Sequence, residues 1–272
     1  MTTFDRRQRI LELLRRQPGI KVAELAPLLS VSEGTIRNDL RALEGAGRLP
    51  RVRGGAVLQE TRPCLSPAFA ARLEVNGEAK RRIASQAAEL VEDGDSVLLD
   101  ASTTAFALIP YLLNCHNLTV ITNGIEAGLA LARNRSHTVI LIGGVVHPDG
   151  SSVVGPLGVN LLEGLHVKTA FVSCSGLSVE AGLTEVDINE IQLKKNMIRC
   201  AERVVALVDS TKFGKVDLTS FASLSQVAQI ITDRDPDPEF RRQVVHNGIG
   251  LTVGAALPVL TPVAAPVMHE VG

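Results

Sequence analysis

From about residue 79 onward the chain repeats one pattern: a short apolar run, a helix-length segment, then another apolar run. The runs fall at 97–101, 118–122, 138–142, 168–174, 203–208, 227–232 and 249–253. A strand that is apolar along its whole length has to be covered on both faces. Strands separated by helical segments are joined by crossovers, and those crossovers supply the cover. The expected fold is therefore α/β: a mostly parallel sheet with helices on both faces. Aromatic residues make up only 3% of the chain and Trp is absent, so Val, Leu, Ile and Ala must build the core.

In open parallel sheets ligands bind beyond the carboxyl ends of the strands. The residues that follow each run are thus candidates for a site. The stretch VLLDASTTAFALI (97–109) ends a run at Asp100 and turns through Ser102, Thr103 and Thr104 into a helical pattern. Hydroxyls and free N–H groups at a helix start suit a phosphate, although an ordinary Ser/Thr cap has the same sequence. Other run ends offer Thr122 and Asn123, Gly143 and Gly144, and Ser173, Ser175 and Gly176. ALVDSTKFGK adds Asp209 and Lys212, and the Lys ammonium is a natural phosphate partner. Glu185 could accept sugar hydroxyls. Glu190 could equally be a solvated helix residue, on a helix that also carries Lys194 and Lys195.

Metal and disulfide chemistry find little support. The four Cys (64, 115, 174, 200) form no CxxC pair, and the six His show no paired ligand spacing. No metal and no cofactor are expected. Of the histidines only His147, in the Gly-rich loop GGVVHPDGSSVVGP (143–156), is placed to touch a ligand.

The amino-terminal part reads differently. Residues 1–57 hold 11 Lys and Arg against 6 Asp and Glu, although the whole chain carries a formal charge of −1. A basic head on an acidic body implies an anionic partner for the head. FDRRQRILELLRR (4–16) has helical apolar spacing, and KVAELAPLL (21–29) is a second short helix with Pro27 awkwardly inside it. Ser32 can cap a third helix, in which Ile36, Leu40 and Leu43 share one face. RLPRVRGGAV (48–57) then reads as a basic hairpin. Three helices and a hairpin make a winged helix-turn-helix, whose third helix enters the major groove of double-stranded DNA. Thr35, Arg37, Asn38 and Arg41 would face outward, and Arg48, Arg51 and Arg53 would hold phosphates or reach the minor groove. A packing module with a solvated Arg face is the plainer alternative. Asp39, among basic residues, should pair with an Arg. Residues 58–78, with Pro63 and Pro67, read as a linker, residues 79–254 as the sensing domain, and residues 255–272 as a poorly ordered tail.

The stretch VSEGTIRNDLRALEGAGRLPRVRGGA resembles the signature of the DeoR family of bacterial repressors. It does so at Val31, Ser32, Thr35, Ile36, Arg37, Asp39, Leu40, Leu43, Glu44, Gly47, Arg51, Gly54, Gly55 and Ala56. The family usually has a second Arg where this chain has Asn38. Residues from about 79 to 235 resemble the family's sensor domain, which is related in fold to ribose-5-phosphate isomerase and glucosamine-6-phosphate deaminase. The resemblance implies a repressor of carbohydrate genes, released from its operator by a phosphorylated sugar and working as a homo-oligomer, a dimer or tetramer. An isomerase or deaminase with a regulatory head is the alternative, and a body serving mainly as an oligomerisation scaffold is a third. Where the enzymes carry an acidic cluster, this chain reads SCSGLS (173–178), which leaves Glu185 a poor acid–base apparatus by itself. MTTFDRRQRI has no signal-peptide core and no 18-residue apolar run occurs, so no membrane partner and a cytoplasmic location are expected.

Overall fold

The computed structural model describes residues 6–7, 9–10, 13–14, 20–45, 51–52, 55–56 and 65–255. The chain divides into two compact units, Met1–Cys64 and Leu65–Gly272.

In the first unit, the helical residues 6–7, 9–10 and 13–14 precede the helices Val22–Leu28 and Glu33–Gly45. Pro27 is accommodated in the last turn of its helix, where few i→i−4 bonds remain to be lost. The turn that follows runs through Ser30 at φ 55°. Ser32 Oγ then accepts the Thr35 amide at 3.2 Å and caps the next helix, as its sequence position implies. Ile36, Leu40 and Leu43 close over Ile10, Leu14 and Leu25 in one buried cluster. Strands β1 (Arg51–Val52) and β2 (Gly55–Ala56) pair antiparallel and form the hairpin.

The second unit centres on seven strands that follow the seven apolar runs: β3 (Ser96–Leu99), β4 (Thr119–Thr122), β5 (Thr138–Leu141), β8 (Val167–Val172), β11 (Ala201–Leu207), β13 (Gln229–Thr232) and β14 (Gly250–Val253). Between them lie the short hairpin β6 (Val145–Val146) and β7 (Val153–Val154), and a three-stranded antiparallel sheet of β9 (Gly176–Ser178), β10 (Gly182–Glu185) and β12 (Thr219–Ala222). The main sheet has the order β14-β13-β11-β8-β3-β4-β5, and every pair in it is parallel. Side chains alternate between its faces. Val97, Leu99, Val120 and Phe171 pack under the helices Gly77–Ala88 and Ile125–Leu131, whereas Leu98, Ile121 and Ala170 meet Leu193 and Met197 of the helix Ile188–Arg199.

The strand order positions the site. From β3 the chain first builds outward through β4 and β5, then returns to the other side of β3 with β8 and builds outward through β11, β13 and β14. The reversal falls between β3 and β8, and the crevice at such a switch point is where an open α/β sheet accepts a ligand.

One expected boundary is corrected. Residues 65–78 are not linker: Pro67–Glu74 is a helix capped by Ser66 Oγ on the Phe69 amide, and Phe69 is buried edge-on to Phe106 at 5.2 Å. Ser-Pro marks a helix start, with the cap followed by proline at the first helical position. Residues 58–64 of the expected linker, and the tail from 256, lie outside the described residues.

Candidate functional site

A cavity of about 440 Å3 opens at the switch point. After β3 come Ala101, Ser102, Thr103 and Thr104; after β8 come Ser173, Cys174 and Ser175; after β11 come Asp209 and Lys212. The end of β10 delivers Glu185, and the next helix delivers Glu190 and Lys194. Arg72 and Asn76 reach the same space from the segment expected to be linker, Lys80 reaches it from just beyond that segment, and His147 and Asp187 also line it.

Local chemistry explains these positions. Asp100 is buried and does not line the cavity, but it organises the wall: Oδ1 accepts the Ser102 amide at 3.1 Å and hydroxyl at 2.5 Å, and Oδ2 accepts the Ser173 amide at 2.8 Å. It thereby ties the ends of β3 and β8 together. Ser102 Oγ caps the short helix Thr103–Phe106. Asp209 Oδ1 accepts the Thr211 amide and hydroxyl and so shapes the turn that carries Lys212. Among the described residues Lys212 makes no ion pair and no side-chain hydrogen bond, whereas Lys80 is spent on the carbonyls of Arg72 and Val75.

Behind the wall lies a charge cluster. The Lys194 ammonium, 5% exposed, is 2.6 Å from Glu185, 3.4 Å from Asp100 and 3.5 Å from Glu190; it donates to the Ser173 carbonyl and sits over the Phe221 ring. Burial works against this ammonium, but Asp100, Glu190 and Glu185 outweigh it and hold the lysine above its ordinary value. Glu185 is likewise buried, yet the Lys194 charge and hydrogen bond hold its carboxyl below the usual range. Glu190, with burial dominant and other carboxylates near, is pushed up. The expectation of a lone carboxylate is thus corrected. Carboxylates do gather here, but around a buried ammonium, which leaves Glu185 ion-paired rather than free as a base. Burial pushes the Cys174 thiol up to about 12, so it stays protonated.

His147 bonds Asp187 at 2.7 Å and Asp149 at 2.8 Å, and Asp187 also caps the helix Ile188–Arg199. Burial pulls its imidazole down, but the two carboxylates win and the net shift is upward. The 143–155 loop is therefore clasped to the helix that carries Glu190 and Lys194.

Besides Asp100, five expected residues lie outside the cavity lining. Thr122 is fully buried and its Oγ1 accepts the Gly124 amide; Asn123 binds the Val153 carbonyl and pins the loop. Gly143 and Gly144 lead into β6, and Gly176 opens β9 where an added Cβ would press on the Lys215 carbonyl at 2.6 Å. Thr122, Asn123, Gly143 and Gly144 follow β4 and β5, which lie on the far side of β3 from β8. Strand order, not the run ends themselves, decides which loops converge. The missed residues had signals. Glu190 and Lys194 are spaced i,i+4 and share a helix face, and Ser66-Pro67 announced the helix that brings Arg72.

In the first unit Arg37, Asn38 and Arg41 are exposed on the second helix of the helix-turn-helix, and Thr35 is half-buried with its hydroxyl on Ser32. Arg37 rests on Glu33 at 2.9 Å, an exposed i,i+4 pair. Asp39 is buried against Arg6 at 2.5 Å and Arg7 at 2.9 Å, so its role is to fasten the recognition helix to the first helix. Arg48 and Arg53 lie outside the described residues, as does the side chain of Arg51. Among the described residues no group of His, Cys, Asp and Glu is arranged to hold a metal ion, and no helix is long and apolar enough to cross a membrane.

A helix-turn-helix with a hairpin, joined to an α/β body, is the layout of a class of DNA-binding regulators. Comparison with known proteins agrees. Residues 6–62 match the DeoR-like helix-turn-helix domain and residues 75–234 the DeoR C-terminal sensor domain. The chain is 40% identical over 253 residues to the HTH-type transcriptional regulator GolR of Listeria innocua, covering 93% of this chain and 99% of that one. It is 34% identical over 244 residues to the HTH-type transcriptional repressor GlcR of Bacillus subtilis, covering 90% and 93%. It is 36% identical over 229 residues to the L-fucose operon activator of Haemophilus influenzae, covering 84% and 91%. The chain belongs to the DeoR family of transcriptional regulators and is a DNA-binding regulator, not an enzyme. Among solved structures it aligns with ribose 5 phosphate isomerase A from Neisseria gonorrhoeae at 15% identity and a TM-score of 0.37, over 49% of this chain and 52% of that one. A likeness so remote says nothing about chemistry.

Proposed function

We propose that the protein is a cytoplasmic, homo-oligomeric repressor of carbohydrate-utilisation genes, released from its operator when the body binds a phosphorylated sugar. The observation that carries this reading is Lys212: an ammonium with no ion pair or side-chain hydrogen bond among the described residues, in the same cavity as the hydroxyl-rich turn Ser102–Thr104 and Ser175. A cation left unspent beside several hydroxyls fits a phosphate monoester. A relative named as the L-fucose operon activator supports the carbohydrate setting, and one named as a transcriptional repressor supports repression. The ligand releases DNA only if it binds the DNA-free arrangement more tightly than the DNA-bound one. The head binds the operator through Ser32, Thr35, Arg37, Asn38 and Arg41, with Arg48, Arg51 and Arg53 on phosphates or in the minor groove. Two heads on paired half-sites require at least a dimer.

The test is Lys212→Ala. Operator affinity should stay within about twofold of the wild type at fixed salt, while the sugar-phosphate concentration needed for release should rise about tenfold or more. A variant that responds to the same concentration as the wild type would remove Lys212 from the phosphate site.

A further inference from the structure

The cavity holds a second polar group that the fold leaves without a hydrogen bond, and its sign is opposite to that of Lys212. Glu190 stands one helical turn before Lys194, and its side chain is only 18% exposed. Among the described residues no donor is hydrogen-bonded to its carboxylate, and its ion-pair neighbour is Lys194 at 3.5 Å. The other carboxylates lining the cavity are spent. Glu185 is held by Lys194 and the Val186 amide, Asp187 by His147 and Asn189, and Asp209 by Thr211 and Asn76. Lys194 donates its hydrogen bonds to Glu185 and the Ser173 carbonyl, so Glu190 feels its charge but receives no hydrogen bond from it. A carboxylate that lines the cavity with no protein donor on it is open to a donor brought by a ligand.

We infer that Glu190 is the specificity-determining residue of the cavity, accepting a hydrogen bond from a hydroxyl at the non-phosphate end of the ligand. The inference rests on the phosphate-sensing reading above. The cavity then discriminates by polarity at both ends. Lys212 takes the phosphate, and Glu190 disfavours a phosphate ester that brings no hydroxyl to it, because the ligand would then displace water from the carboxylate without replacing its hydrogen bonds. A site built around such a group discriminates far more sharply against a missing hydroxyl than an apolar pocket discriminates against an extra methylene.

Calorimetric titration of the full-length protein tests this with four probes: inorganic phosphate, glycerol 3-phosphate, ribose 5-phosphate and fructose 6-phosphate. For whichever sugar phosphate binds the wild type most tightly, Glu190→Ala should lose about tenfold or more in affinity. Inorganic phosphate should change by less than about twofold, because it reaches only the Lys212 end. Glu190→Gln, which keeps an acceptor oxygen and the side-chain volume, should recover most of the loss. Unchanged sugar-phosphate affinity in Glu190→Ala overturns the inference and leaves the sensing reading intact. Equal losses for inorganic phosphate and sugar phosphate overturn it too, since they indicate a damaged cavity rather than a lost hydroxyl contact. A wild-type protein that binds none of the four probes removes the sensing reading and the inference together.

Discussion

Lys194→Met removes the ammonium that faces Asp100, Glu185 and Glu190. Its side chain is 5% exposed, that of Asp100 0% and that of Glu185 11%. Met keeps the length of the chain and the contact with Phe221, so the change isolates the charge. Stripping one partner from a buried ion pair costs about 3–5 kcal/mol, because the remaining charge stays buried without compensation. For a domain of this size that lowers Tm by roughly 6–20 °C. The pH dependence follows from the pKa directions. Glu185 is held below its ordinary value in the native protein, so its contribution is present above the unfolded value of 4.5 and is lost as pH falls through the folded value. In the variant that contribution is gone, and the freed carboxylates can take up protons in acid. The deficit should therefore be largest near neutral pH and shrink on acidification. With no Trp and a single Tyr, far-UV circular dichroism is the suitable probe for melts at pH 7.5 and pH 5. Lys194→Arg, which keeps the charge, should lose less. A Tm within about 2 °C of the wild type at pH 7.5, or a deficit that grows in acid, would refute the charge-compensation argument.

Three further outcomes are expected. Arg37→Ala should weaken operator binding by about 1–3 kcal/mol and relax preference at one base position; its exposed pair with Glu33 is worth only about 0.3–0.5 kcal/mol and does not compete. A loss equal on all sequences would reassign Arg37 to phosphate. The His147 clasp should loosen as pH rises, because a group whose folded pKa is raised contributes stability below its unfolded value, 6.5, and loses it through the folded value. Amide exchange in residues 143–152, corrected for the intrinsic rate, should then be less protected at pH 8.5 than at pH 6, and uniform protection would contradict this. Gly182→Ala should lower stability by about 2 kcal/mol or more, since φ is +67° and the new Cβ would lie 2.1 Å from the Ala222 carbonyl oxygen; urea unfolding followed by circular dichroism reads it, and a neutral result would mean the β10–β12 contact is soft.

The seven runs of the parallel sheet were legible because fully buried strands are apolar throughout, and the Ile36, Leu40 and Leu43 stripe because a helix packs every three or four residues. The convergence of loops was not. Thr122 and Ser175 look alike in sequence, each small and polar at the end of an apolar run, yet Ser175 lines the cavity and Thr122 is buried at the end of β4. The difference is the return of β8 to the near side of β3, a choice of strand order that local pattern does not encode. Pro63 and Pro67 hid the helix that supplies Arg72, because proline both breaks helices and starts them. Glu190 stayed open between a site residue and a solvated one, since its burial depends on the helix Ile188–Arg199 docking on the sheet. Asp39 was legible as an ion-pair residue, but its partners lie in the first helix, more than 30 residues away.

The most direct test of the account is fluorescence anisotropy of the full-length protein on labelled DNA from upstream of its own gene and the neighbouring operon. It should be run at fixed salt against a panel of sugar phosphates and the corresponding unphosphorylated sugars. The account predicts tight binding that weakens steeply with salt, and release by one sugar phosphate but not by its dephosphorylated form. Tight, salt-sensitive binding that no phosphorylated compound disturbs would contradict it.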